Sequence, residues 1–212
     1  MKFSSQKLIA VLLATATLSA CVPLVPLLVG GGFVGGAMVA TDRRTSGTQL
    51  EDEGIEMRAG SRIRNNLGER VHVNVNSYNR QVLLTGEVPS AQDKQLVEQI
   101  VSKVENVRAI VNELNVLGNA TFSQRSSDTI VTGRVKAGLI DAKDLIASAF
   151  KVVTERGTTY LMGRVTQREA DRATDITRGM DGVRKVVRVL EIISEDELAN
   201  MLPQPVPADA KK

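Results

Sequence analysis

Two stretches of this chain share one spacing. Asp52, Ile55, Ala59 and Ile63 stand at +3, +7 and +11 from the aspartate, and Asp128, Val131, Val135 and Leu139 repeat that pattern 76 residues later. The spacing draws an apolar stripe down one side of a helix, and in both copies it opens at an acidic residue suited to a helix N-terminus. The segments after each stripe are duplicated too. Val71, Val73 and Val75 alternate up to a polar turn at Asn79-Arg80, after which 82–88 return; Phe150 and Val152, a turn at Arg156-Gly157 and 160–165 form the counterpart. Alternation around a polar turn reads as a hairpin. A second helix comes next in each copy, with Leu96, Ile100 and Val104 in the first and Ala173, Ile176 and Met180 in the second. Each is expected to end at a residue tolerant of positive φ, Asn106 or Gly182. A last strand, from Val107 or Val183, closes each copy.

The order helix, strand, strand, helix, strand therefore occurs twice. A strand, a helix and a parallel strand make a right-handed crossover, so the chain is expected to be α+β. Two tandem domains should each place a three-stranded mixed sheet on two helices. The boundaries read as 50–117 for domain one, a polar linker at 118–126, and 127–193 for domain two. Beyond them, Glu195-Asp196-Glu197 and three prolines mark 194–212 as an acidic, Pro-rich tail, a frayed short helix giving way to disorder.

Ahead of the repeats lies a segment of another kind. Lys2 and Lys7 precede a short apolar run that ends in Leu18-Ser19-Ala20-Cys21, the position of the only cysteine. A basic start, a short apolar core and small residues at the end describe a signal peptide over 1–20. Leu-Ser-Ala-Cys also resembles the bacterial lipobox, which implies cleavage before Cys21 and lipidation of its sulfur. Residues 21–49 then form the lipidated cysteine and a leader whose 22–40 portion carries no charge. Pro23, Pro26 and five glycines weigh against a second membrane span, and both readings of the leader stay open. Its Gly30-Gly31-Gly32-Phe33-Val34-Gly35 matches a dinucleotide fingerprint in form only, lacking the strand before it and the helix after it.

One cysteine rules out an intramolecular disulfide, so stability must come from packed cores. The absence of tryptophan leaves few stacking platforms for single-stranded nucleic acid. The chain holds 27 basic and 24 acidic side chains, and 25 against 24 once Lys2 and Lys7 are removed. Export and near-neutrality together argue against a nucleic-acid partner. The sole histidine, His72, alternates within a strand, and a polar strand face accounts for it far better than a catalytic role does. There is no P-loop, no Cys/His metal set and no cofactor motif; catalytic and metal-binding residues are both read as none.

The duplicated unit carries Leu84-Thr85-Gly86-Glu87-Val88 in one copy and Met162-Gly163-Arg164-Val165 in the other, with Asn106-Val107 and Gly182-Val183 opening the last strands. In that order, and behind a lipobox, these motifs resemble tandem BON domains of a bacterial outer-membrane lipoprotein. The resemblance covers the mature chain to about Ile193. It implies a non-enzymatic protein, lipid-anchored on the periplasmic face of the outer membrane. It also implies binding to anionic phospholipid through the first helix of the second domain, and a part in membrane integrity near division sites. The pattern departs at Ile130, where the family has a tryptophan, and at Arg80, where it favours glycine. Val22 after the cysteine is not the aspartate of inner-membrane retention.

The residues themselves give that helix a second stripe. Ile130, Gly133, Arg134 and Ala137 follow i, i+3, i+4 and i+7, with Lys136 beside them, a combination suited to an anionic bilayer. The contrary reading is that Ile130 packs beneath the linker and the cations are merely solvated. Residues 50–118 hold 8 basic and 10 acidic side chains, whereas 123–193 hold 13 and 9, so the second repeat is the basic one. Ile130, Gly133, Arg134, Lys136 and Ala137 are thus the candidate lipid contacts. The other course is a scaffold that binds outer-membrane assembly or peptidoglycan-remodelling proteins through the acidic repeat.

Overall fold

The first helix, α1 (Ser46–Leu67), begins at Thr45, whose side chain accepts from the Thr48 N–H. Its counterpart α3 (Phe122–Asp141) begins at Thr121 in a reciprocal capping box with Gln124. Each helix starts about one and a half turns ahead of its aspartate, and α3 takes over from Phe122 within the stretch read as linker. The computed structural model describes residues 42–118 and 120–201.

Asp52 and Asp128 are therefore not the helix-opening residues that their spacing suggested. Both are buried mid-helix and face a hairpin turn. Asp52 accepts from Ser77 Oγ at 2.7 Å, from the Asn79 and Arg80 N–H groups at 2.8 and 2.7 Å, and from Arg44 Nη1 at 2.9 Å. Asp128 accepts from the Arg156 and Gly157 N–H groups, both at 2.8 Å. Two-residue hairpin turns with positive φ at both positions point their N–H groups outward. Here φ is 49° and 64° at Asn79 and Arg80, and 49° and 74° at Arg156 and Gly157. A carboxylate from the helix satisfies those donors in both domains.

Strands β1 (His72–Tyr78) and β2 (Gln81–Val88) are antiparallel, and β2 runs parallel to β3 (Ala109–Asn112) and its in-register continuation β4 (Asn115–Val116). The second sheet repeats this with β5 (Phe150–Glu155), β6 (Thr158–Thr166) and an unbroken β7 (Lys185–Ile193). Each sheet is mixed, as expected. The second helices are α2 (Ala91–Ser102) and α4 (Gln167–Arg178). In α2 Asp93, Val97 and Val101 are buried; of the residues that the spacing picked out, Ile100 packs against the core and Val104, just past the helix, is buried in it, while Leu96 is exposed. Asn106 and Gly182 do have positive φ, 67° and 92°, but the helices end at Ser102 and Arg178. These two residues turn the chain into the last strand instead of capping a helix.

One face of each sheet carries the helices. Ile55, Ala59, Ile63, Val97 and Val101 pack on Val82, Leu84 and Val88 in the first domain, and Val131, Val135, Leu139 and Ala173 pack on Leu161 and Val165 in the second. The opposite faces meet each other: Tyr78 and Leu83 of the first sheet join Tyr160, Met162 and Val189 of the second in a common buried cluster. β2 and β6 are therefore covered on both sides, which explains their consecutive apolar residues. The layers run helix, sheet, sheet, helix.

Both ends of the described chain are tied down. Arg43, ahead of α1, reaches the second domain, where Nη1 and Nη2 each lie 2.7 Å from Glu169 and Nη1 also donates to the Arg164 carbonyl. The two side chains are 4% and 3% exposed. Arg44 pairs with Asp42 and Asp52 and lies 4.3 Å over the Tyr78 ring. The tail opens with the short helix expected there, α5 (Glu195–Met201), docked where fraying was expected, with Leu198 buried and Glu197 paired with Arg164. Residues 202–212 lie outside the described residues, as do the leader to 41 and Cys21 with its lipidation.

Candidate functional site

Helix α3 turns Val131, Val135 and Leu139 inward, and this fixes what faces away. Ile130 is 56% exposed, and Gly133, Arg134 and Ala137 are exposed with it. A Cβ placed on Gly133 would meet nothing within 4 Å. Packing of Ile130 beneath the linker is thus not what occurs. Two apolar residues that the sequence pattern did not single out extend the stripe: Phe122, 81% exposed in the first turn, and Ile140, 70% exposed in the last. The signal for Phe122 was hidden because the helix was expected to begin after it. Arg134 stays on this face, with Nη1 3.3 Å from the Asp181 carbonyl.

Lys136 is exposed as well, one turn before Ile140 and on the same side of the helix, and it also lines a cleft against α1 with Asp52, Glu53 and Glu56. Among the described residues, no helix is long and apolar enough to cross a membrane.

A second constellation lies at the seam between the sheets. His72 and Glu87 are cross-strand partners on β1 and β2, on the face turned toward the second domain. His72 Nδ1 lies 2.9 Å from Glu87 Oε2, and Arg156 Nε donates to Glu87 Oε1 at 2.6 Å from the facing hairpin turn. Burial disfavours the Glu87 charge, but Arg156, the Ala120 N–H and His72 outweigh it and hold the carboxyl below its usual range. Glu155 ends β5 on the same side, buried, with Oε2 accepting from Asn74 Nδ2 at 2.9 Å. Burial, against that hydrogen bond and aided by the Glu87 charge, pushes its carboxyl above the usual range. His72 is thus on a polar strand face, as expected, but it faces a domain boundary.

The BON domain model matches residues 51–118 and again 127–194. The chain belongs to the BON-domain family. The two BON units coincide with the two sheet-and-helix halves described above. Among relatives, outer membrane lipoprotein DolP of Haemophilus influenzae is 38% identical over 91% of this chain and 100% of its own length. A 21 kDa hemolysin of Actinobacillus pleuropneumoniae is 31% identical over 72% of this chain and 79% of that one. Osmotically-inducible protein Y of Escherichia coli is 31% identical over 54% and 58%. The strand glycines of the BON units have a packing cause. A Cβ on Gly86, at φ 111°, would come within 2.1 Å of the His72 carbonyl oxygen, and one on Gly163 within 2.5 Å of the Ala149 oxygen. In both units the neighbouring strand's backbone occupies the space that a side chain would need.

Proposed function

We propose that this protein is a non-enzymatic outer-membrane lipoprotein, acylated at Cys21, that rests the outward face of α3 on anionic phospholipid and so supports membrane integrity near division sites. The observation that carries the reading is the unpartnered stripe of Phe122, Ile130 and Ile140 beside Arg134. Each cation near an anionic surface contributes about 1 kcal/mol, and fully burying a large apolar side chain about 1.5–3 kcal/mol. A tether raises the effective concentration, so contacts of this size suffice for docking. The relative from Haemophilus influenzae, by its name an outer membrane lipoprotein, supports the location. Gly133 and Ala137 act by keeping the face flat, and Lys136 flanks the stripe beside Ile140, on the other side from Arg134.

The test is co-sedimentation of the full mature chain, with Cys21→Ser to remove the acyl anchor, on vesicles of phosphatidylglycerol with phosphatidylcholine and on phosphatidylcholine alone. Preference for the anionic vesicles at low salt is expected, together with at least a tenfold loss in Ile130→Asp and in Arg134→Glu. Equal binding to both vesicle types, or indifference to both substitutions, rejects the reading.

A second reading has one observation of its own. On α1, Leu50 and Met57 are also largely exposed, on a face bordered by Glu51 and Glu53. An apolar face of mixed charge, with Glu53 and Arg64 beside Leu50 and Met57, suits an envelope protein better than an anionic bilayer. In-cell cross-linking from Met57 that traps a stoichiometric protein, with no lipid dependence, would favour a scaffold for assembly or peptidoglycan-remodelling factors.

A further inference from the structure

The seam between the domains gathers three groups of metal-ligating type. One ligand atom each from His72, Glu87 and Glu155 all lie within 4.8 Å of one another. Two come from adjacent strands of the first sheet and the third from the second sheet, so the cluster exists only when the domains are docked.

Three features distinguish it from an ordinary polar seam. The first is spacing. On a tetrahedral zinc ion with bonds of about 2.0–2.2 Å, neighbouring ligand atoms stand about 3.3–3.6 Å apart. His72 Nδ1 and Glu87 Oε2, hydrogen-bonded at 2.9 Å, need to part by only about half an ångström to hold one. The second is outer support, since each carboxylate has one oxygen held by a donor from outside the cluster, and the other Glu87 oxygen meets His72 Nδ1, itself a member of the cluster. Arg156 Nε holds Glu87 Oε1 and Asn74 Nδ2 holds Glu155 Oε2. Groups that fix ligands in this way are the usual second layer of a metal site. The third is a buried carboxyl with no cation beside it. Glu155 is 5% exposed, yet among the described residues no Lys or Arg pairs with it and no donor reaches its Oε1. A buried carboxyl of this kind stays neutral by holding its proton, or gives that proton up to a metal ion that takes its place. Access exists, because a cleft of about 350 Å³ is lined by His72, Asn74 and Glu155 together with Arg125 and Asp128 of α3.

We infer that His72, Glu87 and Glu155 form a divalent transition-metal site, of zinc type, that pins the two sheets together. One imidazole nitrogen and two carboxylate oxygens make a borderline donor set, which favours zinc over magnesium or calcium. Arg156 withdraws part of the Glu87 charge, and affinity on the order of micromolar follows rather than the far tighter binding of an all-thiolate centre.

The test is calorimetric titration of zinc chloride into the tag-free, metal-free full mature chain, with Cys21→Ser so that the sole thiol does not compete. One equivalent is expected to bind with micromolar affinity and to raise the thermal midpoint, while magnesium chloride does neither. Glu155→Gln keeps the shape and the Asn74 contact, so it folds; it should lose zinc at least tenfold, as should His72→Ala, and neither should show the zinc-dependent rise in midpoint. Failure to bind zinc below about 1 mM, or binding that both variants retain, overturns the proposal. The vesicle assay reads a different face of the molecule, so either result leaves the lipid question separate.

Discussion

The prediction that most directly separates structure from sequence pattern concerns Asp52. If that aspartate were a helix cap, Asp52→Ala would cost about 1 kcal/mol. In the fold it gathers four donors: Ser77 Oγ, the Asn79 and Arg80 N–H groups and Arg44 Nη1. Hydrogen bonds to a charged acceptor contribute about 1.5–3 kcal/mol each, and a buried donor left unmet costs a similar amount. The turn N–H groups are partly exposed and regain water, and Arg44 retains Asp42, so the four contributions do not simply add. About 3–4 kcal/mol is expected for Asp52→Ala, and about 2 kcal/mol for Asp128→Ala, which frees two turn N–H groups and no cation. The assay is urea unfolding of the Cys21→Ser chain followed by circular dichroism. The variant should also respond differently to acid. Burial opposes the Asp52 charge, but Ser77, Arg80, Arg44 and Asn79 outweigh it, so the group titrates lower in the folded chain than in the unfolded one. Its contribution is therefore present above the ordinary aspartate value near 3.8 and drains away as pH falls through the folded value. The gap between wild type and Asp52→Ala should narrow on acidification. A cost below 1 kcal/mol at neutral pH, or a larger cost for Asp128→Ala than for Asp52→Ala, refutes the reasoning.

Other expectations rest on single contacts. Arg43→Met strands the buried Glu169 carboxylate and should cost about 3–5 kcal/mol, most of it recovered in Arg43→Met/Glu169→Gln by the same unfolding assay. Gly86→Ala forces a methyl onto the His72 carbonyl at positive φ, and a loss of at least about 2 kcal/mol in urea is expected. Gly133→Ala meets open space on a helix and should gain about 0.5–1 kcal/mol while leaving vesicle binding intact.

Much of the architecture could be read from local pattern. The two hairpin turns showed themselves through Asn79-Arg80 and Arg156-Gly157, and the inward positions of α1 and α3 through their shared spacing. The helix starts were missed because the apolar stripe begins only at Asp52 and Asp128, whereas the chain enters the helix at Thr45 and Thr121. Thr121 with Gln124 three residues on was a visible capping signature. Docking of one sheet on the other also left a trace, in the unbroken apolar runs Val82-Leu83-Leu84 and Tyr160-Leu161-Met162, which a one-sided sheet would not need. The Arg43–Glu169 pair left none, since its members lie 126 residues apart and neither sits in a pattern. The outward stripe of α3 was legible at Ile130 and Arg134, whereas its ends were not, because Phe122 precedes the expected helix start and Ile140 falls outside the spacing read. The His72 cluster needs strand register and domain docking at once, and no linear spacing encodes both.

The joint built on Tyr78, Leu83, Tyr160 and Met162 has a practical corollary for anyone wishing to dissect the molecule. Cutting between the repeats would not liberate two self-sufficient pieces; it would leave each with an open greasy wall where its sibling had been. The readiest cover for such a wall is the matching half of another copy, so isolated halves should pair up or precipitate.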